Sequence, residues 1–216
     1  INIETLPVAN QLASGRCWIF AGCNILRERI AKKYNLEEFE LSQNYVAFYD
    51  KLEKCNYFIE TVISLIDKNN DDRTLSYILT RGIEDGGQWD MFLNIIKKYG
   101  VVPKSAMPET YNSSNTIEVN KVLKRILRMY AYELRTDYKN NKSLEEIENK
   151  KLEMVEKIYN ILCTAFGKPP KEFNFEYTNK KDEFFRENNI TPIEFYNKYV
   201  KDLNLEDYIS IINAPN

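Results

Sequence analysis

The sequence predicts a mainly α-helical protein. Apolar residues recur at helical spacing over several long stretches, helix start and stop signals bracket those stretches, and only two short segments resemble strands. The chain has 216 residues, of which 44% are hydrophobic and 29% are charged. That length and composition are typical of a globular protein that buries a substantial core.

The first half of the chain predicts four helices. The first begins close to Cys17, and a second, longer one follows an apolar stripe over residues 45–66. A short helical segment at 75–79 leads into a glycine-containing loop at 81–88. The fourth helix spans 89–99 and is closed by a glycine.

The second half predicts further helices and two strands. An apolar face runs over 119–134, and a capping box at Ser143 begins a helix that reaches residue 166. Alternating aromatic residues at 173–177 predict a strand. A second capping box at Thr191 begins another helix, and residues 208–212 are expected to form a final strand.

Charge and hydropathy exclude some classes of partner. The chain carries 30 basic and 32 acidic residues, so its formal net charge of −2 gives no general attraction for nucleic acid. No apolar run is long enough to cross a bilayer, and the first residues lack the pattern of a secretory signal. We therefore expect a cytoplasmic protein with neither a membrane nor a nucleic acid as a partner.

The four cysteines predict no metal site. They have no paired spacing and no histidine to join them, because the sequence contains none, and we expect no cofactor. Cys23, Cys55 and Cys163 are interpreted as small buried side chains. Cys17 differs, because polar residues and a glycine directly precede it.

The segment around Cys17 has the composition of a thiol nucleophile site. A cysteine at the start of a helix faces unpaired N–H groups and the positive end of the helix dipole, which favours the thiolate form. Gln11 precedes it by six residues, and its amide and the backbone N–H of Cys17 could both donate to an oxyanion. The alternative is an exposed loop glutamine beside a buried helix cysteine. We favour acyl transfer through Cys17 with Gln11 as an oxyanion donor.

Several segments together resemble one known family. Gln11 and residues 15–18 are similar to the active-site segment of papain-like cysteine peptidases. The longer pattern resembles the bleomycin hydrolase and bacterial aminopeptidase C family in particular. Its segments are residues 10–11, 14–21, 41–45, 50–54, 85–91, 98–104 and 107–109. Ser14 and Arg16 depart from the wider papain pattern, which has a disulfide-forming cysteine and a small residue at those two places. The loss of that disulfide agrees with a cytoplasmic enzyme.

The resemblance implies a division of the chain. Residues 1–110 would be the nucleophile-bearing part of the helical, left half of a papain-like α+β fold. Residues 111–205 would be a helical insertion, and residues 206–216 would begin a β-rich half that lies outside this chain. The covered chain would accordingly contain little β-structure.

The resemblance also implies an activity. The family would cleave amino-terminal residues from peptides through a thioester on Cys17, with Gln11 in the oxyanion hole and Gly86 and Gly87 along the substrate cleft. A histidine base and an asparagine would come from residues outside this chain, so these 216 residues alone are predicted to be inactive. The partners would be peptide substrates and further copies of the chain, forming a homo-hexamer.

A second interpretation stays open from the sequence. The chain could be a complete, non-catalytic helical interaction module that retains an ancestral cysteine segment. An intact-mass measurement of the native protein would distinguish the two interpretations. Only the peptidase interpretation requires a downstream histidine and asparagine.

Overall fold

A computed structural model describes residues 5–209 and residue 211. Within these residues the chain forms eight α-helices and one antiparallel pair of strands, followed by two short 3-10 turns. The helices are α1 (Cys17–Tyr34), α2 (Gln43–Ser64), α3 (Arg73–Arg81), α4 (Trp89–Tyr99), α5 (Tyr111–Ser114), α6 (Ile117–Lys139), α7 (Leu144–Phe166) and α8 (Pro192–Tyr199). The strands are β1 (Phe173–Thr178) and β2 (Phe184–Ile190), and the 3-10 turns are Lys201–Leu203 and Leu205–Asp207. The predicted mainly α fold is confirmed.

Local capping chemistry places the helix ends where the sequence predicts them. The predicted capping boxes at Ser143 and Thr191 are both present, each with reciprocal side-chain bonds to the third residue of its helix. Helix α4 has the predicted bounds, and Gly100 ends it with φ of +79°. A Cβ at Gly100 would lie 2.2 Å from the carbonyl oxygen of Pro192, so only glycine fits between α4 and α8.

Helix α2 lies at the centre of the molecule and packs against α1, α4, α6 and α7. The apolar faces of α6 and α7 are buried against α2 and against each other, so the chain itself covers most of both faces. Val122 and Leu152 remain exposed on them. No described helix combines the length and apolar character that crossing a bilayer requires. The division into residues 1–110, 111–205 and 206–216 stays a prediction.

The strands differ in part from the prediction. Strand β1 is confirmed, and it pairs with β2, which the sequence did not indicate because five of its seven residues are exposed and it lacks apolar alternation. The expected final strand is wrong where the structure describes it. Tyr208 and Ile209 lie in no strand, because no neighbouring strand pairs with them in the described part of the chain. Residues 210 and 212 lie outside the described residues.

Candidate active site

Cys17 is the first residue of α1, and it is the one exposed cysteine among the four, all of which the structure describes. Arg16 is the N-cap residue and makes no side-chain cap, so it leaves the first N–H groups of α1 uncapped. Burial raises the pKa of the Cys55 thiol to about 12, and it raises the pKa of Cys23 still further. These two cysteines are buried as predicted, whereas Cys163 is only half-buried on α7. Cys17 is therefore the most accessible thiol of the chain.

Residues 11–17, which we call the cysteine turn, connect Gln11 to Cys17 through a tight, strained path. Leu12 has φ of +53°, in the left-handed region that a leucine rarely adopts. The N–H of Leu12 donates to the side chain of Asn10 at 2.8 Å, and the hydroxyl of Ser14 donates to the carbonyl oxygen of Gln11 at 2.7 Å. A strained residue persists where surrounding contacts over-determine it, and these two hydrogen bonds hold the backbone at Gln11 and Leu12.

The side chain of Gln11 is half-buried and asymmetric in its surroundings. Its amide oxygen is buried with no hydrogen-bond partner among the described residues. Its NH2 group donates no hydrogen bond to any of the residues that the structure describes. The structure places Gln11 and Cys17 at the two ends of one turn, without a hydrogen bond between them in the part of the chain it describes.

Arg16 anchors the turn directly before Cys17. Its guanidinium is 2% exposed and makes a bidentate pair with Glu109, at 3.1 Å from Nη1 and 2.9 Å from Nη2. Its Nε donates to the hydroxyl of Ser14 at 2.9 Å, and its guanidinium lies over the ring of Phe20 at 5.2 Å. Because these contacts use the whole planar fork, a lysine could not reproduce them.

Asp85 anchors the same turn from another side. Its carboxylate accepts hydrogen bonds from the N–H of Gly15 at 3.1 Å, the hydroxyl of Thr116 at 2.6 Å and the amide of Asn120 at 2.9 Å. It also pairs with the buried ammonium group of Lys51. Burial alone would raise the pKa of Asp85, but the charge of Lys51 and these hydrogen bonds hold it well below its usual range.

Residues 86 and 87, which we call the glycine loop, follow Asp85 and lie beside Trp18. The carbonyl oxygen of Asp85 accepts from the indole N–H of Trp18 at 2.8 Å. A Cβ at Gly87 would lie 2.5 Å from the ring of Trp18, whereas a Cβ at Gly86 would meet nothing within 4 Å. Lys54 donates to the carbonyl oxygen of Gly86 at 2.7 Å. The glycine loop also borders a surface depression of about 360 Å³, which Cys17 does not line.

The two glycines should respond differently to substitution. We expect Gly87→Ala to lower the free energy of unfolding by about 1–3 kcal/mol, because the methyl group must displace a hydrogen-bonded indole ring. Gly86→Ala is the matched control and should stay within about 0.5 kcal/mol of the wild type, since its Cβ points into open space. Thermal unfolding of the two variants would check this. Equal losses would contradict the packing of Gly87 against Trp18.

Sequence reasoning missed the polar residues that hold these segments together. Lys51, Asp85, Thr116 and Asn120 form one cluster, and Glu109 pairs with Arg16. The sequence offered one indirect signal for these residues: Lys51, Asp85 and Glu109 lie in segments that carry the family resemblance. No local pattern indicated which of them meet.

Comparisons with known proteins identify the family of the chain. The chain matches the model of the Peptidase C1-like family over residues 1–216. It is 48% identical to aminopeptidase C of Listeria innocua over 99% of this chain and 47% of that protein, and 40% identical to bleomycin hydrolase of Rattus norvegicus over 98% and 47%.

A solved structure, PepW from Lactobacillus rhamnosis HN001, superimposes with a TM-score of 0.95 at 45% identity. The match covers 100% of this chain and 48% of that one. The chain thus spans about half the length of the curated relatives it matches. The chain belongs to the Peptidase C1-like family.

Proposed function

We propose that this chain carries the nucleophile of a papain-like cysteine aminopeptidase. The observation that supports this best is the position of Cys17. It is the one exposed thiol of the chain, and it lies at the uncapped start of a helix, six residues after Gln11. Relatives named aminopeptidase C share 44–48% of their aligned residues with the chain, which supports the same activity.

The proposed reaction proceeds through a thioester. The sulfur of Cys17 attacks the carbonyl carbon of the first peptide bond, and the negative charge that develops on the carbonyl oxygen is stabilised by the Cys17 N–H and the Gln11 amide. The C–N bond then breaks, and the amine leaves with a proton from a general acid. Water hydrolyses the thioester, which releases the amino acid and restores the thiol.

The general acid and base must come from outside these 216 residues. The sequence contains no histidine, and the relatives are about twice as long as this chain. We propose that a histidine and an orienting asparagine are supplied by the part of the fold that this chain does not cover. A polypeptide of these 216 residues alone should therefore show no turnover.

The glycine loop is the proposed substrate contact. Gly86 is exposed, and open space lies where its side chain would be, so a peptide main chain could approach closely and pair with the loop as an added strand would. We propose peptides with a free amino terminus as substrates and a homo-hexamer as the assembled enzyme. The cytoplasm is the proposed compartment, because all four cysteines are free.

Covalent trapping tests this proposal. The full-length protein is incubated with an aminoacyl chloromethyl ketone, whose ketone carbonyl belongs to a residue with a free amino terminus, and the adduct is located by mass spectrometry of proteolytic fragments. We expect one adduct, on Cys17, formed much faster than in a polypeptide of residues 1–216 and slowed by a competing peptide. Acetylating the amino terminus of that competitor should remove its protection.

Two controls complete the design. Cys17→Ser should abolish the adduct, while labelling of the denatured protein confirms that the remaining thiols are intact. A labelling rate at Cys17 that peptides never change would refute the peptidase proposal. That result would favour the interaction module instead.

A further inference from the structure

Asp85 contacts the chain on both sides of Cys17. Its carboxylate accepts from the N–H of Gly15, two residues before the cysteine, at 3.1 Å. Its main-chain carbonyl accepts from the indole of Trp18, the residue directly after the cysteine, at 2.8 Å. Asp85 also directly precedes Gly86, so one residue joins the cysteine turn to the glycine loop.

The carboxylate of Asp85 is saturated with donors. Oδ1 accepts from Lys51 and from the amide of Asn120, and Oδ2 accepts from the hydroxyl of Thr116 and from the N–H of Gly15. A carboxylate has about four lone-pair positions, so all of them are used. An asparagine at position 85 would replace one of these two oxygens with an NH2 group, which would then face two hydrogen-bond donors. It would also leave Lys51 without its counter-ion.

The donors to Asp85 come from different parts of the fold. Lys51 lies on α2 and is 1% exposed at its side chain, while Thr116 and Asn120 lie at the start of α6. The backbone of Thr116 also touches the cysteine turn, because its N–H donates to the carbonyl oxygen of Ala13 at 3.4 Å. Asp85 is thereby held by two long helices that pack on each other.

The close approach of Gly15 shows how tightly this contact is built. A Cβ at Gly15 would lie 2.8 Å from the Cβ of Asp85, closer than two side chains can come. Gly15 has no positive φ that would call for glycine, so the residue is small because Asp85 lies against it. The cysteine turn and Asp85 fit each other sterically as well as by hydrogen bonding.

We infer that Asp85 is a positioning residue that holds the cysteine turn and the glycine loop in one fixed relation. This inference rests on the proposed function, in which Cys17 attacks a peptide that is paired with the glycine loop. The nucleophile and the substrate main chain must then be aligned within a fraction of an ångström. The four donors fix Asp85, and Asp85 fixes both segments.

Hydrogen exchange of the full-length protein tests the inference without using activity. Amide exchange is followed by mass spectrometry in peptides that cover residues 11–18 and 83–89. Thr116→Val removes one donor to Asp85 while keeping the side-chain shape and the Lys51 pair, and Asp85→Asn removes the charge. We expect faster exchange in both peptides together, to a small extent for Thr116→Val and strongly for Asp85→Asn.

Asp137→Asn is the matched control. Asp137 on α6 has a carboxylate of similar exposure, 12% against 13% for Asp85, and its ion-pair partners, Lys150 at 2.7 Å and Lys142 at 3.0 Å, lie in neither segment. We expect this variant to lose thermal stability without changing exchange in the two peptides. Exchange that rises in only one peptide, or that rises equally in the Asp137 control, would overturn the inference.

Kinetics supply the second readout. We expect Asp85→Asn to lower kcat about 10²-fold, because small misplacements of reacting groups cost that much. Thr116→Val should lower kcat about tenfold or less, the scale of one typical hydrogen bond, because the other three donors to Asp85 remain. If Asp85→Asn does not fold, the exchange result for Thr116→Val decides alone. If the wild type has no peptidase activity, the proposed function fails while the exchange result still tests the role of Asp85.

Discussion

Replacing Cys17 with alanine in the full-length protein is expected to lower kcat/KM for peptides by about 10⁴-fold or more. The variant loses the sulfur that would form the thioester, and no neighbouring side chain can replace it, since the other three cysteines are buried or half-buried. The variant should still fold, because substitution of an exposed residue changes stability by only about 0.5 kcal/mol. Steady-state hydrolysis of aminoacyl substrates, together with thermal unfolding, would check both parts.

Two further variants sharpen that result. Cys163→Ala removes a half-buried thiol from α7 and should leave kcat/KM unchanged, which shows that the loss is specific to position 17. Cys17→Ser keeps the size of the side chain but provides a much weaker nucleophile, so it should be nearly as inactive as the alanine variant. If Cys17→Ala kept substantial activity, the assignment of Cys17 as nucleophile would be wrong.

The helices were predictable because their signals are local. Helix α4 has its predicted bounds. The capping boxes at Ser143 and Thr191 each consist of only the N-cap residue and the third residue of the helix that follows it. Such signals act between neighbours in sequence, so no knowledge of the fold is needed to identify them. The four-residue helix α5 escaped because it is too short to show any apolar period.

The strands were less predictable because strand pairing is not local. Strand β2 has an exposed, polar sequence, and what makes it a strand is its partner β1. Residues 208–212 have the apolar character of a strand, yet Tyr208 instead places its ring against Trp89 and Arg29. An apolar sequence alone therefore does not distinguish a strand from an extended segment that packs through one aromatic ring.

The candidate site likewise has one part that could be predicted from the local sequence and another part that could not. Cys17 and Gln11 could be proposed from one short segment, because a nucleophile and a nearby oxyanion donor leave a local pattern. The anchors of that segment could not, since Arg16 meets Glu109 across 93 residues and Gly15 meets Asp85 across 70 residues. Only the tertiary fold determines which charged residues pair.

Arg16 illustrates what the structure adds. The sequence showed a large cation directly before the cysteine, where the wider papain pattern has a small residue. The structure shows that this cation is buried, neutralised by Glu109 and bonded to Ser14. Arg16 and Ser14 thus tie the cysteine turn to the segment that precedes α5, at the place where the wider family has a disulfide-forming cysteine.

Replacing Gln11 with alanine is expected to lower kcat by about 10²–10³-fold, the usual effect of removing one oxyanion donor. KM should change much less, because the amide contributes mainly once negative charge has developed on the carbonyl oxygen. Gln11→Glu tests the same point more sharply. It keeps the shape of the side chain but replaces the NH2 donor with a carboxylate oxygen, so it should be at least as inactive as the alanine variant.

The matched control for Gln11 is Asn149→Ala, which removes an amide from the exposed face of α7 and should leave both kcat and KM unchanged. The structure gives a reason to expect a loss of function without unfolding, because the oxygen of Gln11 is already unpaired and the hydroxyl of Ser14 bonds its backbone rather than its side chain. Thermal unfolding should therefore shift little for Gln11→Ala. A large rise in KM with kcat preserved would instead make Gln11 a ground-state binding residue, and the oxyanion role would be wrong.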